Sequence, residues 1–564
     1  MSDSLYPEVI DHVPDIVIND RLDILLLELP PRYFPMMPNG LAHVARIMER
    51  MGVSFQVLDL NILLYHDYHL NRHFNGDAPI QTPSGPLTDS PWAPGGIDKR
   101  CVDPPFLDYL AGKYAPIIDQ IAQKKPRIVG LSIHGHNRRN AKAFVQALRA
   151  KLPKVIILVG GYDCVYPYIG PRIFSEYDYM VIGEAEGVLE DLVPKLLAGK
   201  RPTDVPGVVS KHDSRDRVFT PAALYTDLDA IAFPQYEWLD LIYYQTHDRL
   251  HNIPIVTSRG CRWGRCRFCA EAFPFRKRSP KSVVDEIEFF AARGWHTFHI
   301  NDSDCNGDPD NLHDICSEIL RRGLTVHFAG QLRVDKRNTL EYMRHLRAAG
   351  FSHLRFGVDG WTDKLLHLQR KGYNMPLVFE NLKNCHDAGI TTAVNVIIGI
   401  PGETEEDMDE LAANFAIARE HVDIVESINL LILSGGSEYY LHPEKYNIVF
   451  KKDKEEIYRE FPYWIPHDLW YCYEPFADIA TRQARLVKLV GMLQERNVPM
   501  ADFAASIAKQ RLDEREGLHL NIHQTMEDEK PMGEEQTVAE QDEQTGILRR
   551  LANGIRGLFP KAGH

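Results

Sequence analysis

Three cysteines stand close together in the chain and are its clearest indication of chemistry. They are Cys261, Cys266 and Cys269, separated by four and two residues. Thiolates are the ligands of iron–sulfur clusters, and three of them on one short loop can hold three corners of a [4Fe–4S] cluster. The fourth iron then has no protein ligand, so a small molecule can bind it and react there. The spacing therefore predicts a cluster with an open iron position.

A structural zinc site is the alternative for the same cysteines. Such a site normally has a fourth cysteine or histidine at close spacing. His296 and His299 are the nearest downstream candidates, but they lie too far along the chain for a zinc finger, and no second cysteine pair follows. Burial of all three thiols in an apolar core is disfavoured, because arginines lie among and beside them: Arg259, Arg262, Arg265 and Arg267.

The composition favours a globular protein of two or three domains. The chain has 564 residues, of which 44% are hydrophobic, and a formal net charge of -14. This acidic balance argues against nonspecific nucleic-acid binding, which needs a basic surface, and no apolar run approaches the ~18 residues of a membrane span. The nine cysteines are odd in number and mostly scattered, which predicts a reduced, cytoplasmic protein rather than a disulfide framework.

Hydrophobic runs alternate with helical patterns in the part of the chain before the cysteine loop. Alternating strands and helices make a parallel sheet with helices packed on it. The pattern predicts a doubly wound α/β domain over residues 1–200 and a linker over residues 201–252. Residues 62–115 interrupt the alternation, and the part from Asn75 to Gly96 is predicted to be a long surface insertion. The predicted strands cover residues 22–29, 53–60, 128–133, 155–161 and 179–183.

A second alternating series begins at Ile253. Its six strand–helix repeats predict a partial (β/α)6 barrel over residues 253–440. In such barrels the chemistry lies at the carboxyl ends of the strands, and the cysteine loop follows the first strand of the series. The predicted strands cover residues 253–258, 297–301, 325–330, 353–357, 392–398 and about 424–433.

The remainder of the chain divides into a helical region and a tail. Residues 441–510 are predicted to be helical, and residues 511–564 to be an acidic disordered tail that ends in an amphipathic segment. That segment could make a peripheral contact with a membrane surface or a partner. It could equally dock back on the enzyme or stay disordered.

The cysteine loop and the barrel together resemble the radical SAM superfamily. Its signature, Cys-x3-Cys-x2-Cys, follows the first strand of a partial (β/α)6 barrel and has an aromatic residue before the last cysteine. Phe268 fits that aromatic place, and the gap after Cys261 is one residue longer than the signature. The resemblance implies a [4Fe–4S] cluster on the cysteines and S-adenosylmethionine (SAM) on the open iron. It also implies SAM contacts at the strand ends: Asp302 for the amine, Gln331 and Arg333 at the strand that meets the carboxylate, Asp359 near the ribose and Pro401 near the adenine.

The N-terminal domain resembles the cobalamin-binding domain of the cobalamin-dependent (class B) radical SAM enzymes. No Gly-x-Gly-x-x-Gly fingerprint follows its first strand, which argues against a dinucleotide. Small residues at the strand ends would let a flat corrin lie close to the backbone. A scaffold that binds nothing and only shapes the substrate pocket is the alternative. The expected cobalamin contacts are Asn39, Gly40, Ser132, Gly160, Gly161, Gly183 and Glu184.

The cobalt ligand of that domain is a separate question. Many cobalamin domains carry a cobalt-binding histidine after the first strand, but the loop from Pro30 to Leu41 has none. The resemblance therefore implies cobalamin without a histidine lower ligand, with Tyr33 and Phe34 as candidates to cover that face. His134 and His136 follow the third strand instead, and we interpret them as exposed or capping histidines.

Together the two resemblances imply an enzyme that transfers a methyl group. The expected reaction methylates an unactivated carbon of a secondary metabolite, peptide or lipid precursor by way of a 5′-deoxyadenosyl radical. Its partners would be a small-molecule or peptide substrate and an electron donor such as flavodoxin or ferredoxin. The same motifs serve rearrangement or cyclisation without net methyl transfer, and a non-catalytic cobalamin sensor is a third possibility. The sequence assigns no catalytic residue.

Overall fold

The chain forms two compact units. The first contains Met1–Thr226 and Ala230–Ile253, and the second contains Asp227–Asp229 and Pro254–His564. The segment 201–252, expected to be a linker, therefore belongs almost entirely to the first unit. A computed structural model describes residues 12–32, 37–74, 92, 104–167, 170–214, 217–238, 242–245, 253–271 and 273–501.

The first unit is built on one six-stranded sheet, in the order β2-β1-β3-β4-β5-β6. Its strands pair in parallel except β6, which runs antiparallel to β5. This order is that of flavodoxin-like doubly wound folds, so the predicted fold class is confirmed. The strands are β1 (Ile24–Glu28), β2 (Phe55–Asp59), β3 (Ile128–Ser132), β4 (Ile156–Gly160), β5 (Tyr179–Val181) and β6 (Val208–Ser210). The main helices are α1 (Asn39–Arg50), α2 (Leu60–Phe74), α3 (Pro104–Lys124), α4 (Arg138–Lys151) and α5 (Glu186–Leu197).

Two helices lie on either side of the predicted insertion, in the region where the strand–helix alternation of the sequence is interrupted. Helix α2 begins directly after β2, and α3 leads into β3. The apolar residues of α3 recur at helical spacing and are buried, but Pro104, Pro105 and Pro116 obscured this pattern in the sequence. The sequence analysis assigned no element to these two segments. The predicted insertion, residues 75–96, lies outside the described residues except for Trp92.

His66 on α2 gives the first unit a predictable dependence on pH. It is buried, and its Nε2 lies 2.7 Å from the carbonyl oxygen of Tyr243. Burial lowers the pKa of His66 to about 4. Below the ordinary histidine pKa, His66 is protonated in the unfolded chain but stays neutral in the folded chain. The free energy of unfolding therefore decreases as the pH falls.

We expect this histidine to remove roughly 3 kcal/mol of unfolding free energy as the pH falls from about 6.5 to 4. Hydrogen exchange in peptides from residues 55–74 measures the loss. The His66→Gln variant should flatten this part of the profile. An identical slope in that variant would assign the loss to other groups.

The second unit contains an open sheet of six strands. Their order in the sheet is their order in the chain, β7 to β12, and β8 to β12 pair in parallel. No ladder joins β12 back to β7 within the described residues, so the structure is the predicted partial (β/α)6 barrel. The strands are β7 (Ile253–Ile255), β8 (Thr297–Ile300), β9 (His327–Leu332), β10 (Phe351–Asp359), β11 (Thr391–Ile398) and β12 (Ile424–Leu430).

Helices follow β8 to β11 and one precedes β8. Most begin at a residue whose side chain accepts a backbone N–H bond, which fixes where the chain turns into a helix. These capping residues are Ser279, Asp308, Thr339, Thr362 and Asn374. The helices are α6 (Pro280–Ala291), α7 (Pro309–Arg321), α8 (Leu340–Ala348), α9 (Asp363–Leu368), α10 (Met375–Asp387) and α11 (Glu405–Ala418).

The region after β12 is only partly helical, contrary to the sequence prediction. A three-stranded antiparallel sheet forms there because its strands are rich in aromatic and β-branched residues. Helix α12 (Ile479–Glu495) follows, and the chain then returns to the sheet edge, where Met500 bridges to Val425. The three strands are Ile448–Phe450, Trp470–Tyr473 and Phe476–Ala477. The predicted acidic tail and its terminal segment lie outside the described residues.

Candidate cofactor sites

The cysteine loop begins at the carboxyl end of β7, where Gly260 makes the turn. Its φ is +79°, and a Cβ there would lie 2.5 Å from the carbonyl oxygens of Phe273 and Pro274. Only glycine fits this position. The short ribbon Ser258–Arg259 with Arg276–Lys277 closes the base of the loop. The loop is thus held at both ends.

The three thiols lie at the accessible side of this loop. Cys261 and Cys266 are half-buried, and Cys269 is exposed. The backbone N–H of Cys269 donates to the carbonyl oxygen of Cys266 at 3.3 Å, and that of Gly264 donates to Cys261 Sγ at 3.5 Å. N–H groups directed at sulfur stabilise a thiolate in this position.

Trp263 accommodates the extra residue between the first two cysteines. Its indole Nε1 donates to the carbonyl oxygen of Arg370 at 2.9 Å. The Trp263 ring lies against Gly372, and the guanidinium carbon of Arg333 is 4.2 Å from the ring centre. The longer gap therefore allows an indole to pack onto the segment that follows α9.

Adding a methyl group at Gly372 should loosen the loop. A Cβ there would collide with the Trp263 ring, and Gly372 has a φ of +78°. We expect Gly372→Ala to cost about 2–3 kcal/mol of unfolding free energy and to lower the iron bound per chain after reconstitution.

Gly389 is a matched control because its φ is +75° and its Cβ would have no neighbour closer than 3.9 Å. The Gly389→Ala variant should carry the same backbone strain and keep the full iron content. Equal iron loss in both variants would contradict a packing role for Trp263.

Lys371 connects the cysteine loop with the ends of two strands. Its Nζ lies 2.6 Å from Asp359 Oδ2, and Asn395 donates to the other oxygen of Asp359 at 2.7 Å. The same Nζ lies 5.6 Å from the ring centre of Phe268. Burial opposes the charge of Lys371, but Asp359 and the nearby Cys266 outweigh it and raise the Lys371 pKa. A permanent positive charge therefore lies beside the cysteines.

Asp302 holds the end of β7. Its carboxylate accepts from the backbone N–H of Thr257 at 2.9 Å, from the Thr257 hydroxyl and from Ser258 Oγ at 2.8 Å. Burial raises the Asp302 pKa to about 6 despite these donors. Both carboxylate oxygens of this side chain therefore already accept hydrogen bonds within the fold.

Asp304, two residues further along, lies beside the first cysteine. Cys261 Sγ is 3.6 Å from Asp304 Oδ2. The other carboxylate oxygen, Oδ1, is buried and accepts no hydrogen bond from any described residue. A buried acceptor without a donor is costly unless a ligand supplies one. Asp304 is therefore the carboxylate of this strand end that keeps an unsatisfied oxygen.

Gln331 lies on β9 and Arg333 directly follows it, but the two side chains have different neighbours. Arg333 donates to the carbonyl oxygen of Lys371, and its guanidinium carbon is 5.0 Å from the ring centre of Tyr373. Gln331 instead accepts from Arg355 at 2.6 Å. Only Arg333 therefore belongs to the group around the cysteine loop.

The turn that contains Pro401 is held in place by Glu403 and by two arginines of α12. Glu403 accepts from the Gly399 N–H at 3.0 Å and pairs with Arg485 of α12 at 3.3 Å. Burial raises the Glu403 pKa to about 7, against the effects of Arg485 and the Gly399 N–H. A Cβ at Gly399 would collide with the side chain of Arg482, so α12 packs directly against the turn.

The carboxyl edge of the first sheet is lined by small residues. Ser132 and Gly160 are register partners on β3 and β4. Gly161 has a φ of +110° and lies against Ile133, and the Gly183 N–H donates to the carbonyl oxygen of Cys164 at 3.1 Å. A Cβ on Gly160 would have nothing closer than 3.9 Å. These strand ends therefore leave room for a flat group.

The remaining predicted cobalamin contacts lie at the starts of two helices. Asn39 begins α1, and its Oδ1 accepts from the Tyr236 hydroxyl at 3.2 Å. A Cβ on Gly40 would meet nothing within 4 Å. Glu184 precedes α5 and is half-buried. Tyr33 and Phe34, expected to cover a corrin face, lie outside the described residues.

Comparison with protein families identifies both parts of the chain. Residues 255–414 match the Radical SAM superfamily, and residues 102–193 match the B12 binding domain. The chain therefore contains a radical SAM domain and a B12-binding domain. The first match contains the cysteine loop, and the second contains Ser132, Gly160, Gly161 and Gly183.

Several curated proteins are similar to part of this chain. An uncharacterized methyltransferase of Pyrococcus horikoshii is 24% identical over 54% of this chain and 68% of its own length. The anaerobic magnesium-protoporphyrin IX monomethyl ester cyclase of Rubrivivax gelatinosus is 29% identical over 54% of this chain and 57% of its own length. Tryptophan 2-C-methyltransferase of Streptomyces laurentii is 31% identical over 27% of this chain and 28% of its own length. The chain thus spans only part of each relative.

Two solved structures share the fold. The radical SAM methyltransferase TsrM of Kitasatospora setae, with cobalamin and a [4Fe-4S] cluster bound, has a TM-score of 0.56 at 18% identity and covers 77% of this chain and 81% of its own. The cobalamin-dependent SAM radical enzyme OxsB, with aqua-cobalamin bound, has a TM-score of 0.60 at 13% identity and covers 88% of this chain and 72% of its own.

The predicted family, fold class and enzyme class of this chain are confirmed. The expected cofactors, a [4Fe–4S] cluster, SAM and cobalamin, are those of its two domains. In the described part of the chain no three histidine, cysteine, aspartate or glutamate side chains are already gathered as a metal cage. Three cysteines match the donor set of a cluster with an open iron better than that of a closed zinc site, which normally adds a fourth cysteine or histidine. None of the described helices is long and apolar enough to cross a membrane.

Sequence reasoning missed a polar group on one face of the barrel sheet. His353 Nε2 and Glu426 Oε1 are 2.7 Å apart, and Arg355 pairs with the same glutamate at 3.3 Å. Burial, then Arg355 and His353, lower the pKa of His299 to about 4. Polar residues at alternate positions of β10 were the available signal, because alternate residues of a strand share a face. This face therefore carries a cluster of polar side chains that are paired with one another.

Proposed function

We propose that this chain is a cobalamin-dependent radical SAM methyltransferase. Its substrate would be a small molecule or peptide, with an unactivated carbon of a secondary metabolite, peptide or lipid precursor as the methyl acceptor. The observation that carries the proposal is the buried Lys371–Asp359 ion pair, which joins the cysteine loop to the strand ends in a chain that also has a B12-binding domain. Similar proteins named as methyltransferases support it.

The residues of the second unit have distinct tasks in this proposal. When bound, the cluster, SAM and cobalamin supply an electron, a cleavable sulfonium and a transferable methyl group. The three cysteines hold the irons, and Lys371 offsets the negative charge of their thiolates. Arg333 offers N–H donors to the methionine carboxylate.

At the β8 end the structure supports a different assignment from the sequence. Asp302 is already bonded to Thr257 and Ser258, whereas Asp304 Oδ1 is buried without a donor among the described residues. We therefore assign the methionine ammonium to Asp304 and a positioning role to Asp302. Asp359 remains proposed for the ribose and Pro401 for the adenine.

A substrate-independent assay tests the methyltransferase proposal. The full chain is reconstituted without oxygen with iron, sulfide and hydroxocobalamin, then given SAM and a chemical reductant. We expect both 5′-deoxyadenosine and S-adenosylhomocysteine, because the second product forms when SAM donates its methyl group. The absence of both products, with cluster and corrin bound, would overturn the proposal.

Cyclisation without net methyl transfer is the second candidate. The anaerobic magnesium-protoporphyrin IX monomethyl ester cyclases are among the similar proteins and favour it. In that case the same assay gives 5′-deoxyadenosine without S-adenosylhomocysteine. The electron donor, flavodoxin or ferredoxin, and the cytoplasmic location stay predictions.

A further inference from the structure

Positive charge is concentrated on the surface of the cysteine loop, in a chain whose formal net charge is -14. Arg262 and Arg265 lie between the first two cysteines, and both side chains are exposed. Lys277, on the ribbon that closes the loop, and Arg370, after α9, have 46% and 52% of their side chains exposed. We call Arg262, Arg265, Lys277 and Arg370 the basic surface.

Contacts among the described residues bring the basic surface together around the thiols. Arg262 and Lys277 contact the same carboxylate oxygen, at 3.4 and 2.7 Å. The guanidinium carbon of Arg265 is 5.4 Å from the centre of the Trp263 ring. The indole of Trp263 in turn donates to the carbonyl oxygen of Arg370 at 2.9 Å. The four cations therefore belong to one surface.

The carboxylates near the basic surface are fewer than its cations. Asp308 is the carboxylate shared by two of the cations, and 18% of its side chain is exposed. Glu438 lies 3.9 Å from Arg370, and Glu271 accepts from a serine hydroxyl. Arg265 has no ion pair among the described residues. An excess of positive charge therefore faces the solvent here.

The basic surface lies beside the place where an electron must reach the proposed cluster. The thiols are at the accessible side of the loop, and Cys269 is exposed. An electron crosses only a short gap between redox centres, so its donor must come close to this loop. The buried Lys371 is in a better position than the exposed cations to offset the thiolate charge, because solvent and salt screen the exposed cations. Their charge is therefore available to a partner.

An acidic protein is the partner that these charges fit. Complexes for electron transfer are small and transient, and complementary charges bring the two partners together. The remainder of this acidic chain repels an acidic protein, so the basic surface directs the encounter to the cysteine loop. A nucleic acid would need a more extended basic surface than four side chains.

We propose that the basic surface docks an acidic one-electron carrier protein, which reduces the cluster on the cysteine loop. The carrier is oxidised by one electron, the cluster is reduced by that electron, and no bond is made or broken. The proposal rests on the proposed function only in that the loop holds a reducible cluster. It adds to that function the class of the electron donor and the surface that receives it.

Titration calorimetry tests the docking, with flavodoxin, an acidic flavoprotein, as the probe. Oxidised flavodoxin is titrated into the full reconstituted chain at several salt concentrations. Arg262→Gln with Arg265→Gln removes two positive charges. We expect this variant to raise the dissociation constant at least ~10-fold at low salt and to weaken its salt dependence. Arg262→Lys with Arg265→Lys keeps the charge and should bind almost as tightly as the unmodified chain.

Arg293→Gln with Arg347→Gln is the matched control. Both arginines are exposed, and they precede β8 and β10, at the amino ends of the barrel strands. The control removes the same charge as the first variant and should leave flavodoxin binding unchanged. If the first variant binds less iron, Lys277→Gln with Arg370→Gln repeats the test outside the cysteine loop.

SAM cleavage separates docking from catalysis. With dithionite, a small chemical reductant, Arg262→Gln with Arg265→Gln should form 5′-deoxyadenosine at the unmodified rate. With limiting reduced flavodoxin its rate should fall about tenfold, and excess flavodoxin should restore it. If the unmodified chain gives no product with dithionite, the proposed function fails, and the calorimetry still decides the docking.

Two results would overturn the docking proposal. One is equal flavodoxin affinity in the loop variant and in the control variant. The other is unchanged flavodoxin affinity in the loop variant together with weaker binding to vesicles of anionic lipid, which would make the basic surface a membrane contact.

Discussion

Replacement of Cys266 by alanine should abolish the formation of 5′-deoxyadenosine and leave cobalamin binding nearly intact. The change removes one of three thiolates, so one iron of the cluster loses its protein ligand. We expect the rate to fall roughly a thousandfold or more, which corresponds to about 4 kcal/mol of transition-state stabilisation. Chromatography of the nucleoside product and iron content per chain measure the effect.

Cys316 provides the control for this variant. It is buried on α7, outside the cysteine loop. The Cys316→Ala variant should lose about 1 kcal/mol of unfolding free energy from the smaller side chain while keeping iron and SAM cleavage. Full iron content and normal cleavage in Cys266→Ala would contradict the assignment of the cluster to this loop.

Replacement of Lys371 by methionine should have the second largest effect. It leaves Asp359 as a buried charge without its cation, at a position where 8% of the carboxylate side chain is exposed. Breaking a buried ion pair in this way costs about 3–5 kcal/mol. The change also removes the positive charge beside Cys266, so we expect SAM cleavage to fall by at least ~100-fold through this loss of charge stabilisation. Thermal unfolding and product formation measure the two effects separately.

Two further variants separate folding from function at this site. Lys383→Met breaks the ion pair with Asp387, which lies on α10 of the same barrel and has both side chains well exposed. It should cost less than ~1 kcal/mol because exposed pairs contribute little, and it should leave cleavage unchanged. The double variant Lys371→Met with Asp359→Asn removes both charges and should recover most of the stability without recovering cleavage. If the double variant recovered both stability and SAM cleavage, Lys371 would contribute to folding only.

The local features of the fold could be predicted from the sequence because their signals are periodic. Strand and helix patterns alternate in both units, and each helix of the barrel begins near a capping side chain. The C-terminal region was predicted wrongly because aromatic residues occur in both helices and strands, and only pairing between Ile448–Phe450 and Trp470–Tyr473 decides the matter. Helices α2 and α3 were missed because prolines and polar residues masked their apolar faces.

The sequence predicted some residues of the site correctly and gave no indication of others. The three cysteines lie within nine residues of one another in the sequence, so their common role can be predicted without a structure. Lys371 gave no sequence signal, because its meaning comes from Asp359, which reaches it from the end of another element. Asp302 and Asp304 are indistinguishable as strand-end carboxylates until their partners are known.

The sequence by itself determined the cofactor loop, the two domains and their families, because these depend on residue types at short, regular spacing. Only the tertiary structure decided which polar side chains are already bonded and which are open. It alone shows that Asp302 is saturated, that Asp304 has a free buried oxygen, and that His134 is held by Glu28. The physical reason is that hydrogen bonds and ion pairs join residues distant in the chain, and each pair forms only after the sheets have placed the strand ends together.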